Sequence, residues 1–414
     1  MTNIRLAHAV AALTLAWGCT ERPPPLDAIA EGYVRVALQL AQHDPELIED
    51  WRGPASWRPG PREPVAPLLQ RIETLQQGLR RHSDPVTAER RGYLAAQLAA
   101  LELSAQRLLG RSRLFDDEAE QAFGRRPSPV PATQLEAFRA ALAHELPGPG
   151  SLVERYLEFK RTQMVDPSKA EPLMTAALAA CRAATALALP LPEGESIELA
   201  FVDTSPWDAY AQYLGGHRTK VTVNRRAAAD VSRVLRLACH EGYPGHHVQF
   251  MLIDDELAKR RGWREFELTP AFGRHLLVTE GAAEAGAEMA FPFKARVAVY
   301  RDTLLPIAGL PPQDAPRIGR IEQLVWSLEP AAIDIIRGYL DNTLTQAAAI
   351  ERLRNDALTL DPEALLAFAE RRRTSVLAYP EGRAAIWRRI GHAIGPSDLK
   401  ELRALFVEHP FAVQ

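Results

Sequence analysis

Between residues 240 and 247 the chain reads His240-Glu241-Gly242-Tyr243-Pro244-Gly245-His246-His247, which puts three imidazoles and one carboxylate within about two helical turns. A neutral imidazole is a common zinc ligand, and a carboxylate beside it can act as a general base. The stretch is H-E-x-x-H with Pro-Gly inserted before the second histidine. In the uninterrupted motif, histidines four apart share one helix face and one Zn²⁺. A spacing of six turns the second side chain about 240° around an ideal helix. Pro244 kinks a helix and Gly245 frees the backbone, so a local break can return His246 to the side of His240. An unbroken helix would carry His247 about 10 Å along its axis, too far for a shared ion. Geometry therefore favours His240 and His246 as ligands. The flanks, Val234, Leu235, Leu237 and Ala238 before and Val248, Phe250, Met251, Leu252 and Ile253 after, are apolar. A polar insert in such a setting needs partners, and a metal is one.

A zinc hydrolase takes three protein ligands and leaves a fourth position for water. Glu280, Glu284 and Glu288 recur every four residues in an otherwise Ala/Gly-rich stretch, so they form a slowly rotating stripe on a helix. Small neighbours let a second helix approach closely, and no Lys or Arg interleaves with the acids as on a solvated face. The stripe supplies the third ligand, and the spacing leaves open which glutamate it is.

H-E-x-x-P-G-H followed some thirty residues later by E-G-x-A in an Ala-rich helix resembles a large bacterial family long labelled only as a domain of unknown function. That family is grouped with the gluzincin-type zinc metallopeptidases. The family pattern often continues H-H-x-Q, matched by His246, His247 and Gln249. The resemblance implies a zincin-like core with His240, His246 and Glu280 as Zn²⁺ ligands and Glu241 as the base. Residues 190–300 carry most of it. Ala282 stands where the family often has Trp, and the chain is short for the family. Glu284 and His247 are expected as outer partners that orient the ligands. Tyr379 is the candidate donor to a tetrahedral oxyanion, with Arg337-Gly338-Tyr339 as the alternative. His275 is assigned no role.

These side chains need a scaffold, and the pattern predicts a mainly α protein with a small β-sheet. Residues 26–189 read as an N-terminal helical region, with apolar residues such as Leu94, Leu98 and Leu101 at helical spacing and breaks at Arg58-Pro59-Gly60-Pro61 and Gly148-Pro149-Gly150. Residues 190–300 form the metallopeptidase-like core. There Ile197, Leu199 and Phe201 alternate, as do Val221 and Val223, around a hairpin turn near Gly215 to Arg218. Lys220 to Asn224 is expected to be the edge strand that pairs with an extended peptide. Residues 301–414 return to helices, broken at Pro306, Pro311-Pro312 and Tyr379-Pro380.

Residues 1–25 read as a lipoprotein signal peptide and Pro-rich tether. Ala9 to Trp17 is mostly apolar but too short to span a bilayer, and Ala16-Trp17-Gly18-Cys19 resembles a lipidation signal. The expectation is export and anchoring through a lipid on Cys19, with the mature protein in the bacterial cell envelope. An oxidising compartment leaves both a Cys181–Cys239 disulfide and two buried thiols open. A net charge of −3 gives no electrostatic case for nucleic acid. The functional expectation is a zinc-dependent peptidase acting on a peptide or other small amide. The alternatives are a non-proteolytic amide or ester metallohydrolase, and a binding lipoprotein with a structural metal.

Overall fold

The computed structural model describes residues 24–204, 207–391, 397–408 and 411; Cys19 and the signal sequence lie outside them. The described chain is mostly helical with a small three-stranded sheet, as the sequence pattern predicts, and has a second, two-stranded sheet that the pattern does not predict. Among the described residues no helix is long and apolar enough to cross a membrane.

Six helices and five strands position the site. In chain order they are β1 (Ile48–Trp51), α1 (Ala88–Leu108), α2 (Ala170–Ala186), β2 (Ser196–Val202), β3 (Ala209–Gly215), β4 (Arg218–Asn224), α3 (Val231–Glu241), α4 (His246–Leu252), β5 (Leu268–Pro270), α5 (Gly273–Ala290) and α6 (Pro380–Ile390). β2, β4 and β3 form one sheet in that order, β2–β4 parallel and β3–β4 antiparallel. The hairpin turns at Gly215, Gly216 and His217, all with positive φ, where glycine is at ease. Thr219, Val221 and Val223 of β4 are buried on one face, the alternation expected of a half-covered strand. β4 is nevertheless the central strand. The expectation that Lys220 to Asn224 forms the edge is therefore wrong, and the edge nearest the motif is β3. The reason is the parallel β2–β4 pairing: β2 returns to the far side of β4, which alternation alone does not reveal.

β1, inside the stretch read as purely helical, pairs with β5 in a second, two-stranded sheet. The register shifts between Ile48 and Asp50, so Glu49 is the unpaired residue of a bulge. This pairing ties the N-terminal region directly to the core.

α3 starts at Asp230, whose carboxylate accepts the N–H groups of Ser232 and Arg233, the usual N-terminal cap. Val231, Val234, Leu235 and Ala238 form its buried face. The helix stops at Glu241, and α4 begins at His246. Between them the Tyr243–Pro244 bond is cis. Gly245 donates its N–H to Cys239 O at 3.0 Å. A Cβ on Gly245 would lie 1.8 Å from His240 O, so only glycine fits this close return. Cys239 is bonded to Cys181 of α2, with Cα atoms 5.6 Å apart and a sequence separation of 58. This resolves the open thiol question in favour of the disulfide. Closing a loop of that length removes about 4 kcal/mol of chain entropy from the unfolded state.

α5 is the hub. It packs against α1, α3 and α6, so both flanking regions bear on it. A Cβ on Gly281 would lie 2.2 Å from the Gly382 backbone, and one on Gly382 would lie 2.5 Å from Leu277 O. The two helices thus cross backbone to backbone, and that contact brings Tyr379, just before α6, against the motif.

Candidate metal centre

The break at Gly242 to Gly245 does what the spacing requires. The His240 and His246 rings lie 4.7 Å apart, edge to face. Glu280 of α5 sits between them, with Oε2 at 3.2 Å from His240 Nε2 and Oε1 at 3.5 Å from His246 Nε2. One donor atom from each of the three residues lies within 4.8 Å of the others. Zinc bonds of about 2.0–2.1 Å in a tetrahedron put neighbouring donors about 3.3 Å apart. The two measured pairs bracket that value.

The outer contacts fit the same geometry. His240 Nδ1 is 3.0 Å from Glu284 Oε1, and His246 Nδ1 is 3.2 Å from Gln249 Oε1. Each imidazole can donate its Nδ1–H outward and keep the Nε2 lone pair facing the cluster. Glu284 is itself held by Arg236, one helical turn before His240, at 2.9 Å. Gln249 donates to Thr279 O at 3.0 Å, which ties α4 to α5 beside Glu280.

Charge is concentrated here. Burial opposes ionisation of Glu280, but His246 and His240 more than offset it and hold its carboxyl at about 2. Burial likewise opposes the charge on Glu284, and Arg236 and His240 pull its pKa far below the usual range. Burial disfavours a cationic His240, yet Glu280 and Glu284 raise its pKa. His246 is raised in the same way, chiefly by Glu280. Two oxygens remain orphaned: Glu280 Oε2 and Glu241 Oε2 are buried with no hydrogen-bond partner among the described residues. A carboxylate that shares no proton with its neighbours is costly to bury. A cation among the three donors would satisfy Glu280 Oε2 and leave Glu241 Oε2 free beside it, so the residues present fit Zn²⁺.

Glu241 follows His240 at the end of α3. Burial raises its pKa, His240 and His246 counteract, and the N–H of Ala211 in β3 donates to it. The open edge of the sheet therefore runs beside this carboxylate. Tyr379 closes another side, its ring stacked over His240 at 6.3 Å. The negative charge of Glu280, then burial, keeps the Tyr379 phenol protonated well beyond its usual range.

Two expected residues are elsewhere. His247 directs neither nitrogen at the cluster: Nδ1 takes the Thr219 hydroxyl at 2.7 Å and Nε2 lies 3.0 Å from Glu195 Oε2. It is a buried brace between sheet and hinge, and its expected role as an outer partner of the ligands is corrected. The alternative oxyanion donors are also corrected. Arg337 pairs with Asp116 and Asp334, and the Tyr339 hydroxyl bonds Glu370. Sequence reasoning missed Arg236, although its i, i+4 spacing to His240 was legible. It also missed Glu49, which lies close enough to Glu280 for the two negative charges to oppose each other. No spacing signal connects Glu49 to residues two hundred positions on.

No known family model matches the chain, and no curated protein does. Solved structures similar to it include the following two. One is described as "the putative lipoprotein from Colwellia psychrerythraea"; it is 15% identical, with 86% of this chain and 69% of that one covered at a TM-score of 0.48. The other, "a putative lipoprotein of unknown function from Shewanella oneidensis", is 14% identical, with 83% and 72% covered at a TM-score of 0.43. Likeness at this level says nothing of activity.

Proposed function

We propose that the protein is a zinc-dependent peptidase of the gluzincin type, tethered in the bacterial cell envelope. The observation that carries this reading is the convergence of His240 Nε2, His246 Nε2 and a Glu280 carboxylate beside Glu241, whose Oε2 has no partner among the described residues. Three ligands rather than four favour a catalytic over a structural ion.

Bound at His240, His246 and Glu280, zinc would supply a Lewis acid and lower the pKa of water toward about 7. Glu241 Oε2 takes the proton from water and returns it to the leaving amine. Its raised pKa suits that exchange. Glu284, anchored by Arg236, fixes the ring of His240. The edge of β3 lies beside Glu241 and offers main-chain groups to an extended peptide, without regard to its side chains. Tyr379, kept as a phenol, is the donor proposed for the oxyanion.

Elemental analysis of purified protein should give about one zinc per chain. Glu241→Gln should keep the metal and reduce peptide hydrolysis by about 10²–10⁴-fold. Undiminished turnover would remove Glu241 as the base, and a metal-free, inactive wild type would remove the reading. Tethering through a lipid on Cys19 rests on the Ala16-Trp17-Gly18-Cys19 sequence. Cys19→Ser should move the protein from the membrane to the soluble fraction; a wild type already soluble would refute the lipid anchor.

A further inference from the structure

The bulge in β1 presents a carboxylate that the mechanism above does not use. Bulges bend a strand and re-aim one side chain, and they recur beside active sites. Glu49 is the bulged residue. Its carbonyl oxygen accepts the Tyr210 hydroxyl at 3.3 Å, and Ala211, next along β3, donates its N–H to Glu241. Two consecutive residues of the edge strand therefore bridge the bulge and the proposed base.

Among the described residues nothing donates a hydrogen bond to the Glu49 carboxylate, and no ion pair reaches it. The groups that act on it electrostatically are Glu280, His246, Arg372 and Glu241. Arg372 is committed to the carbonyls of Glu46 and Ala271. Three carboxylates, Glu49, Glu241 and Glu280, thus lie near one another. The Glu49 side chain is exposed, so solvent reaches its carboxylate. An unpartnered carboxylate among like charges is stabilised by a cation that enters from solvent.

We propose that Glu49 is a specificity-determining residue that receives an ammonium group of the substrate, next to the bond that is cut. The inference rests on the peptidase reading of the site for the place of that bond. The ammonium is either a free α-amino terminus or a lysine side chain; both carry the same charge and the same N–H donors. Hydrogen bonds to a charged group are strong enough to give about a 10–100-fold preference.

The test uses three metal-directed probes on zinc-loaded protein: leucine hydroxamate, N-acetyl-leucine hydroxamate and N-acetyl-lysine hydroxamate. Calorimetry reads their affinities for the wild type and for Glu49→Gln, with zinc content and thermal unfolding of both proteins checked alongside. The wild type should bind an ammonium-bearing probe 10–100-fold more tightly than N-acetyl-leucine hydroxamate. Glu49→Gln should reduce that preference to within about threefold. Tight leucine hydroxamate identifies the α-amino group, and tight N-acetyl-lysine hydroxamate identifies the side chain. Equal affinities in the wild type, or a preference that survives Glu49→Gln, would overturn the proposal. Turnover of the matching anilides is measured separately. Turnover without probe preference sinks the role of Glu49 alone, whereas probe preference without turnover sinks the peptidase reading alone.

Discussion

His246 and His247 leave the same turn of α4 and enter opposite kinds of polar environment. Around His247 every group is answered. The Thr219 hydroxyl donates to Nδ1, Nε2–H donates to Glu195, and Glu195 also receives Tyr243 and Arg182. Burial, only partly opposed by Glu195, lowers the pKa of His247 and keeps the ring neutral. Around His246 the account does not close. Its pKa is raised, and the cluster it joins keeps two orphaned carboxylate oxygens. Fully satisfied buried networks rigidify a fold, whereas unsatisfied ones mark a place where something else binds. The closed network holds the Tyr243-Pro244 loop to the Glu195 hinge. That brace lets the open network keep its shape.

The sharpest way to break this contrast is to remove each ring in turn. His246→Ala should weaken zinc binding by more than about 100-fold, beyond the range typical of outer partners. His247→Ala should keep the metal within about tenfold and instead lose about 1–3 kcal/mol of stability, because Thr219 and Glu195 are left underpaired in a buried site. Zinc titration and denaturant unfolding on both variants read the two effects. If His247→Ala loses the metal and His246→Ala does not, the two networks have been assigned the wrong way round.

That contrast was half legible in the sequence. Pro244 and Gly245 announced a break, and an arc of 240° on an intact helix required one, so the pairing of His240 with His246 followed from local geometry. The Glu280, Glu284 and Glu288 stripe was legible for the same reason, since helical neighbours four apart share a face. The structure divides its labour: Glu280 faces both rings, Glu284 backs His240, and Glu288 turns away to Trp387 and Arg383. What escaped depends on contacts between distant segments. The parallel β2–β4 register moved the edge from β4 to β3. A bulge in a four-residue strand delivered Glu49. The fate of His247 was set by Thr219 and Glu195, which only the packed hinge brings together.

A smaller effect sharpens the open side of the comparison. Glu284 contributes through His240, so Glu284→Gln should preserve a hydrogen-bond acceptor for Nδ1–H but remove the charge. Zinc affinity should fall by about 10–100-fold. Glu284→Ala should fall at least as far, and Glu288→Gln, on the face turned away from both rings, should change affinity by less than about threefold. An equal loss in Glu284→Gln and Glu288→Gln would mean that the stripe acts as a diffuse field rather than through the contact with His240.

The smallest effect belongs to His275, a third histidine near the cleft that resembles His247 in being closed. It stacks on Phe411 at 4.7 Å, and its Nδ1 lies 3.2 Å from the Tyr93 hydroxyl. Burial, helped by the positive charge of Arg52 and of His246, lowers its pKa to about 3. Unfolded, it titrates near 6.5. Between those values the unfolded chain binds the proton and the folded chain refuses it. The stability that a neutral His275 brings is therefore complete above pH 6.5 and is lost progressively as pH falls toward 3. His275→Phe keeps the stacking and leaves the Tyr93 hydroxyl underpaired, which costs about 1–3 kcal/mol at pH 8. As pH falls through that window only the wild type suffers the protonation penalty, so the gap between the two proteins should narrow. Denaturant unfolding at pH 8, 6 and 5 measures it. A gap that stays constant or widens toward pH 5 would show that His275 is not held neutral, and that the wall behind Glu280 is wetter than its packing implies.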